Sequence, residues 1–151
     1  GLVVGAPEHD WSTTTTLAFY NNNAWLATGM RRLGEFLLQT QQAQQAQQRR
    51  YAPATTEAIA LGAALVGNAT QLAASLQTSL RVCSVRDGSG NLTFVPPYAQ
   101  RNATLFTSMT ESRLSSYSNF RFWSETMMAD ILPAEAEVNW LDWHNNKGGR
   151  C

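Results

Sequence analysis

Five leucines, Leu61, Leu65, Leu72, Leu76 and Leu80, recur at spacings of four, seven, four and four. Such spacing aligns residues on one face of a helix and scatters them over both faces of a strand. Gly62, Ala63, Ala64, Gly67, Ala69, Ala73 and Ala74 fill the adjacent face, and small residues let a second helix approach closely. Upstream, Leu26, Met30, Leu33 and Leu37 repeat at four, three and four, with Trp25 and Phe36 beside them. This second stripe is expected to be the buried face of its own helix.

The two stripes predict helices over residues 23–48 and 55–81, joined through Arg49-Arg50-Tyr51-Ala52-Pro53 into an antiparallel hairpin. Asn21-Asn22-Asn23 offers a cap for the first helix, and Thr55 or Thr56 with Glu57 one for the second. Seven Gln and two Ala in Gln39–Gln48 are good helix formers and extend the first helix as an exposed end. Before it, Gly1–Thr16 reads as a loop or a short strand at Leu2-Val3-Val4.

Val82–Arg86 and Leu92–Val95 flank Asp87-Gly88-Ser89-Gly90-Asn91, the pattern of a β-hairpin, which Pro96-Pro97 ends. Phe120, Trp123, Met127 and Ile131 predict a third helix, and a short fourth follows Pro133 with Val138, Trp140 and Leu141. The fold class expected is mainly α, helical hairpins with one small β-hairpin, forming a single domain over 1–151 or part of a larger helical one.

The 151 residues hold eleven basic and eleven acidic side chains, a formal net charge of +0. That balance offers no basic face for phosphates, so nucleic acid is not an expected partner. No uninterrupted apolar run of about 18 residues occurs, so no membrane span is expected. Charged residues are only 15% of the chain, against roughly 25% in ordinary soluble domains. Glycans or burial against other chains would solubilise such a surface.

Three sequons, Asn68-Ala69-Thr70, Asn91-Leu92-Thr93 and Asn102-Ala103-Thr104, support the first route and a secreted, extracellular protein. Cys83 and Cys151 are an even pair, and a bridge between them would close a long loop. The chain opens on Gly1 and stops on Cys151 after Gly148-Gly149-Arg150, and is expected to be a piece of a longer protein.

Two segments carry groups suited to sugar chemistry. Pro7-Glu8-His9-Asp10-Trp11 puts two carboxylates, Glu8 and Asp10, beside an indole on which a sugar ring can stack. A capping Asp and a Trp plugging the core would explain the same residues. Tyr117, Asn119, Arg121 and Trp123 gather where a loop meets the third helix, with Arg121 able to clamp an acidic sugar. An ordinary helix start with an Arg121–Glu125 surface pair is the alternative. His9 and His144 do not form a ligand pair, so no metal is expected. Phosphate loops, nucleophile elbows and Cys-x-x-Cys pairs are absent from the sequence, and no cofactor is expected.

Pro7-Glu8-His9-Asp10, followed by Tyr20-Asn21-Asn22-Asn23-Ala24-Trp25 and Gly29-Met30-Arg31-Arg32-Leu33, resembles the opening of an (α/α) toroid repeat. The stretch Tyr117–Glu125 with Leu132-Pro133 and Gly148-Gly149-Arg150 is similar to another. Such toroids are the fold of six-hairpin glycosidases and polysaccharide lyases. The resemblance implies a secreted protein that hydrolyses, cleaves or binds a glycan. It makes Glu8 and Asp10 the acid/base candidates, Arg121 the clamp, and Trp11 and Trp123 the stacking surfaces. Without a diagnostic catalytic motif, a non-catalytic structural glycoprotein of an extracellular assembly fits the same features. The partners expected are a glycan or other extracellular protein chains.

Glycan is expected on at least one of Asn68, Asn91 and Asn102. Asn91 at a loop tip is the most accessible, and Asn68 inside a helix among small residues the least. Intact mass before and after deglycosylation of protein from its native source checks this; an unchanged mass removes the secretory argument.

Overall fold

The computed structural model describes residues 1–5, 17–46, 56–96, 98–101, 126–142 and 145, with backbone alone for 41–46. The fold is mainly α with one small antiparallel β-hairpin: α1 (Tyr20–Ala46), α2 (Thr56–Cys83), β1 (Val85–Arg86), β2 (Leu92–Phe94) and α3 (Ala134–Asp142).

The two long helices pack along each other in opposite directions. Tyr20 Oη lies 3.1 Å from Ser79 Oγ, so the start of α1 meets the end of α2. Farther along, Gly34 of α1 lies against Gly62, Leu65 and Val66 of α2, nearer its start. A Cβ on Gly34 would sit 2.7 Å from the Gly62 carbonyl oxygen, and one on Gly62 would sit 3.0 Å from the Gly34 oxygen. Two missing side chains therefore set the distance between the helices. Ala24, Ala27 and Thr28 continue the buried small-residue surface of α1.

This contact corrects the expectation for the first stripe. Leu26 and Leu33 are 41% and 51% exposed, Phe36 is 63% exposed, and Met30 and Leu37 are half-buried. α1 turns its small residues to α2 because they permit closer backbone approach, and this leaves the large stripe on a flank. In α2 the expectation holds for Leu72, Leu76 and Leu80, which are buried, but Leu61 is 53% exposed.

The core lies at one end of the helix pair. Tyr20, Ala24 and Ala27 of α1 and Leu72, Leu76 and Leu80 of α2 meet Phe94, Val95, Ala129, Ile131 and Ala136. The N-terminal segment is pinned there by Asn23. Its Oδ1 accepts from Val3 N–H (2.8 Å), and its Nδ2 donates to the carbonyls of Val3 (2.9 Å) and Phe19 (2.7 Å). One buried amide thus pairs with backbone as a neighbouring strand would, and it is not the expected helix cap, because α1 starts earlier, at Tyr20. Phe19 pairs with Tyr98 through an isolated bridge and an edge-on ring contact at 5.5 Å.

Other boundaries also move. Val82 and Cys83 belong to α2 and not to β1, since Ser84 N–H still bonds the Leu80 carbonyl at 2.9 Å. Thr126–Met128 form a helical turn that ends before Ile131, where Asp130 takes a left-handed φ of 54°; Phe120 and Trp123 lie outside the described residues. β1 and β2 pair Val85 with Phe94 and Arg86 with Leu92, with a bulge between. α3 rests on this hairpin through Asn139 Nδ2, which donates to the Leu92 and Thr93 carbonyls at 3.2 Å.

Gly34→Val is expected to cost about 1–3 kcal/mol by overpacking against the Gly62 backbone. Gly29→Ala, with nothing within 4 Å of its new Cβ, gains roughly 0.5–1 kcal/mol in helix propensity. Urea unfolding followed by circular dichroism measures both; equal midpoints for the two variants would contradict the close glycine contact.

Candidate functional site

Glu8, Asp10, Trp11, Tyr117, Asn119, Arg121 and Trp123 lie outside the described residues, as do Asn102 and Cys151. Asn68, Asn91 and Cys83 are described, and each has a distinct setting.

Asn91 closes the β-hairpin loop, which Asp87 organises. Asp87 Oδ1 accepts from the backbone N–H groups of Ser89 (2.8 Å) and Asn91 (2.9 Å), and Oδ2 accepts from Asn91 Nδ2 (3.3 Å). The Asn91 N–H, the Asn91 amide and the Ser89 N–H, in that order, hold the Asp87 carboxyl below its ordinary range. Gly90 occupies a φ of 86° that a side chain would strain. Next to the loop, Arg86 grips Glu135 at the start of α3 with two parallel bonds, 2.7 and 2.8 Å long. The guanidinium keeps the Glu135 carboxyl below its usual value. Hairpin and α3 are thus tied by an exposed forked pair and the Asn139 amide.

Asn68 stands inside α2, as expected; its side chain is exposed, and among the described residues its amide has no hydrogen-bond partner. Thr70 of the same sequon is exposed too, its Oγ1 donating to the Val66 carbonyl at 2.9 Å.

The helix pair has two unlike flanks. Helices step about 100° per residue, and in an antiparallel pair equal offsets from the contact point fall on the same side. Leu33 and Leu37 stand one residue before and three after Gly34; Leu61 and Leu65 stand likewise about Gly62. The four leucines therefore share one flank, with Leu26, Met30 and Asn68. The opposite flank carries a cavity of about 320 Å³ lined by Ala27, Thr28, Arg31, Ala73, Gln77 and Ile131.

Cys83 is a buried free thiol, with its Sγ 3.8 Å from Ser79 Oγ. Ser79 also meets the Tyr20 phenol, whose burial raises its pKa far above the ordinary value against the lowering effect of Ser79. A phenol so held is a structural hydroxyl and no base at neutral pH. Among the described residues, no three His, Cys, Asp or Glu gather as a metal site would require. α2 is long and apolar enough, by length and composition, to cross a membrane, although no single uninterrupted apolar run marks it.

No protein family, curated protein or solved structure matches this chain. Sequence reasoning missed the Arg86–Glu135 pair, because 49 residues separate the partners and neither belongs to a motif.

Both depressed carboxyls predict an acid limb. A carboxyl whose pKa is lowered by folding adds stability above its unfolded value, and the gain is lost as pH falls through the folded value. Stability is therefore expected to decline as pH drops below about 4.5, the ordinary Glu value, and further below the ordinary Asp value of 3.8. Glu135→Gln and Asp87→Asn should each flatten that decline in urea melts run from pH 6 downward; an unchanged acid limb in both variants would count against these contacts.

Proposed function

We propose that this chain is a non-catalytic structural glycoprotein, a subunit that packs with other chains in an extracellular assembly. One observation carries the reading: large apolar side chains stand exposed on separate faces of the described fold. Val3 and Val4 do so near the N-terminus, Trp25 and Phe36 on α1, Val82 on α2, and Val138 and Leu141 on α3. Scattered apolar residues are normal on any surface, but contiguous apolar faces mark contact sites. With only 15% charged residues to offset them, these faces favour covering by other chains.

A glycan-processing fragment of an (α/α) toroid is the second reading, favoured by the hairpin of two long antiparallel helices that such toroids repeat. Its chemistry would rest on Glu8, Asp10 and Arg121. General acid and base groups contribute factors of about 10² to 10⁴ to a rate, so their removal separates the two proposals.

Sedimentation of the secreted, glycosylated chain over a wide concentration range is expected to show self-association, unchanged in the Glu8→Gln/Asp10→Asn double variant. A strictly monomeric chain that cleaves a polysaccharide, with cleavage lost in that variant, would replace the structural reading by the enzymatic one.

A further inference from the structure

Asn68 belongs to the apolar row of α2. Leu61, Leu65, Asn68 and Leu72 follow one another at four, three and four, so the sequon asparagine stands where the next leucine of the stripe would be. Among the described residues the flank below Leu72 is open: Leu33 and Leu61 are exposed, and Leu37 and Leu65 are half-buried. Level with Asn68 across the groove lies Met30, also half-buried.

We propose that Asn68 carries an N-linked glycan that folds down over this flank, covers Leu33, Leu37, Leu61 and Leu65, and makes the flank a solvent-facing side of the subunit. This rests on the reading of the chain as an extracellular glycoprotein. In the transfer, Asn68 Nδ2 bonds the anomeric carbon of a lipid-diphosphate-linked oligosaccharide. The anomeric C–O bond breaks with its electron pair leaving on the diphosphate, and Nδ2 loses one proton to the transferase.

Size favours the glycan over a second protein chain as the cover. From the start of α2 at Thr56 to Asn68 the flank runs 13 residues, roughly 20 Å, and a helix pair is about 20 Å wide. The patch is therefore on the order of 400 Å², half of the roughly 800 Å² per partner in a stable protein interface. A covalently tethered sugar pays no translational cost to reach it, so a patch too small for a free partner suffices. The amide is also ready for attachment. Asn68 Nδ2 has no partner among the described residues, whereas Asn91 Nδ2 is engaged by Asp87.

The experiment uses the secreted full chain with glycopeptide mass mapping, binding of an apolar fluorescent dye, and sedimentation. Expected are a glycan on Asn68, and in Asn68→Gln a dye signal raised several-fold with added self-association. Thr70→Ala should repeat that result, Thr70→Ser should behave as the parent, and Leu33→Gln/Leu61→Gln added to Asn68→Gln should reverse it. A glycan on Asn91 or Asn102 with Asn68 bare overturns this proposal and leaves the glycoprotein reading intact. Sugar on none of the three overturns both. An occupied Asn68 whose loss changes neither dye binding nor sedimentation overturns the shielding alone.

Discussion

The contact between Gly34 and Gly62 decides how the two long helices present themselves. With hydrogen in place of a side chain on both, each backbone carbonyl comes close to the other helix, and a methyl group on either would meet an oxygen at 3.0 Å or less. Close approach there orients α1 so that Ala24, Ala27 and Thr28 also face inward. The orientation has a cost, since the bulkier row of Leu26, Met30, Leu33 and Leu37 is displaced to a flank. Leu26 and Leu33, 41% and 51% exposed, forgo part of the roughly 1.5–3 kcal/mol that burying a leucine contributes, which leaves the hairpin with an apolar flank.

The opposite end of the pair is settled by polar groups as much as by apolar ones. Asn23, itself fully buried, holds Val3 and Phe19 by three hydrogen bonds. A buried amide left without partners would cost on the order of 1–3 kcal/mol for each unmet group, so the N-terminal segment and α1 depend on each other. Thr28 adds a bond to the Ala129 carbonyl at 3.3 Å, carrying the turn before α3 onto α1. α3 in turn reaches the β-hairpin through Asn139 and Glu135. The described residues outside the helix pair therefore gather at one end of it.

Helical periodicity made α1, α2 and their antiparallel pairing legible in the sequence, and the glycine loop marked the β-hairpin. Periodicity could not tell which side of α1 meets α2, because a row of small residues and a row of large ones both repeat at helical spacing. Backbone proximity chose the small row. The Asn triplet misled for a related reason: Asn is favoured at caps for its short amide, and the same amide suits a buried bridge to an extended segment. Of the site, the sequons at Asn68 and Asn91 were legible as motifs, but their accessibility was not. It depends on Asp87 engaging one amide and on α2 turning the other outward. Glu8, Asp10 and Arg121 belong to segments the described fold does not include, so their chemistry stays with the proposals.

A bilayer span and a glycan on Asn68 are incompatible fates for α2. Its length and composition suit a bilayer, yet Asn68 is its thirteenth residue of 28, close to the midpoint. An oligosaccharide there cannot enter a hydrocarbon layer whose core admits no unsatisfied polar group without a cost of several kcal/mol. A glycosylated Asn68 therefore excludes a span through α2 in the same molecule, and a span through α2 excludes the glycan. The paired glycines weigh on the same choice. Gly62 is shaped to receive Leu37 and Leu38 of α1, whose neighbours Arg31, Arg32 and Glu35 are exposed and charged. Carrying α2 into lipid would either strip away that partner or drag three charges inward, each at roughly 2.5–3.5 kcal/mol near the centre of a span. On the glycoprotein proposal, α2 packs against α1 in water and the proposed sugar over the leucine flank would serve the apolar and polar halves of the hairpin together.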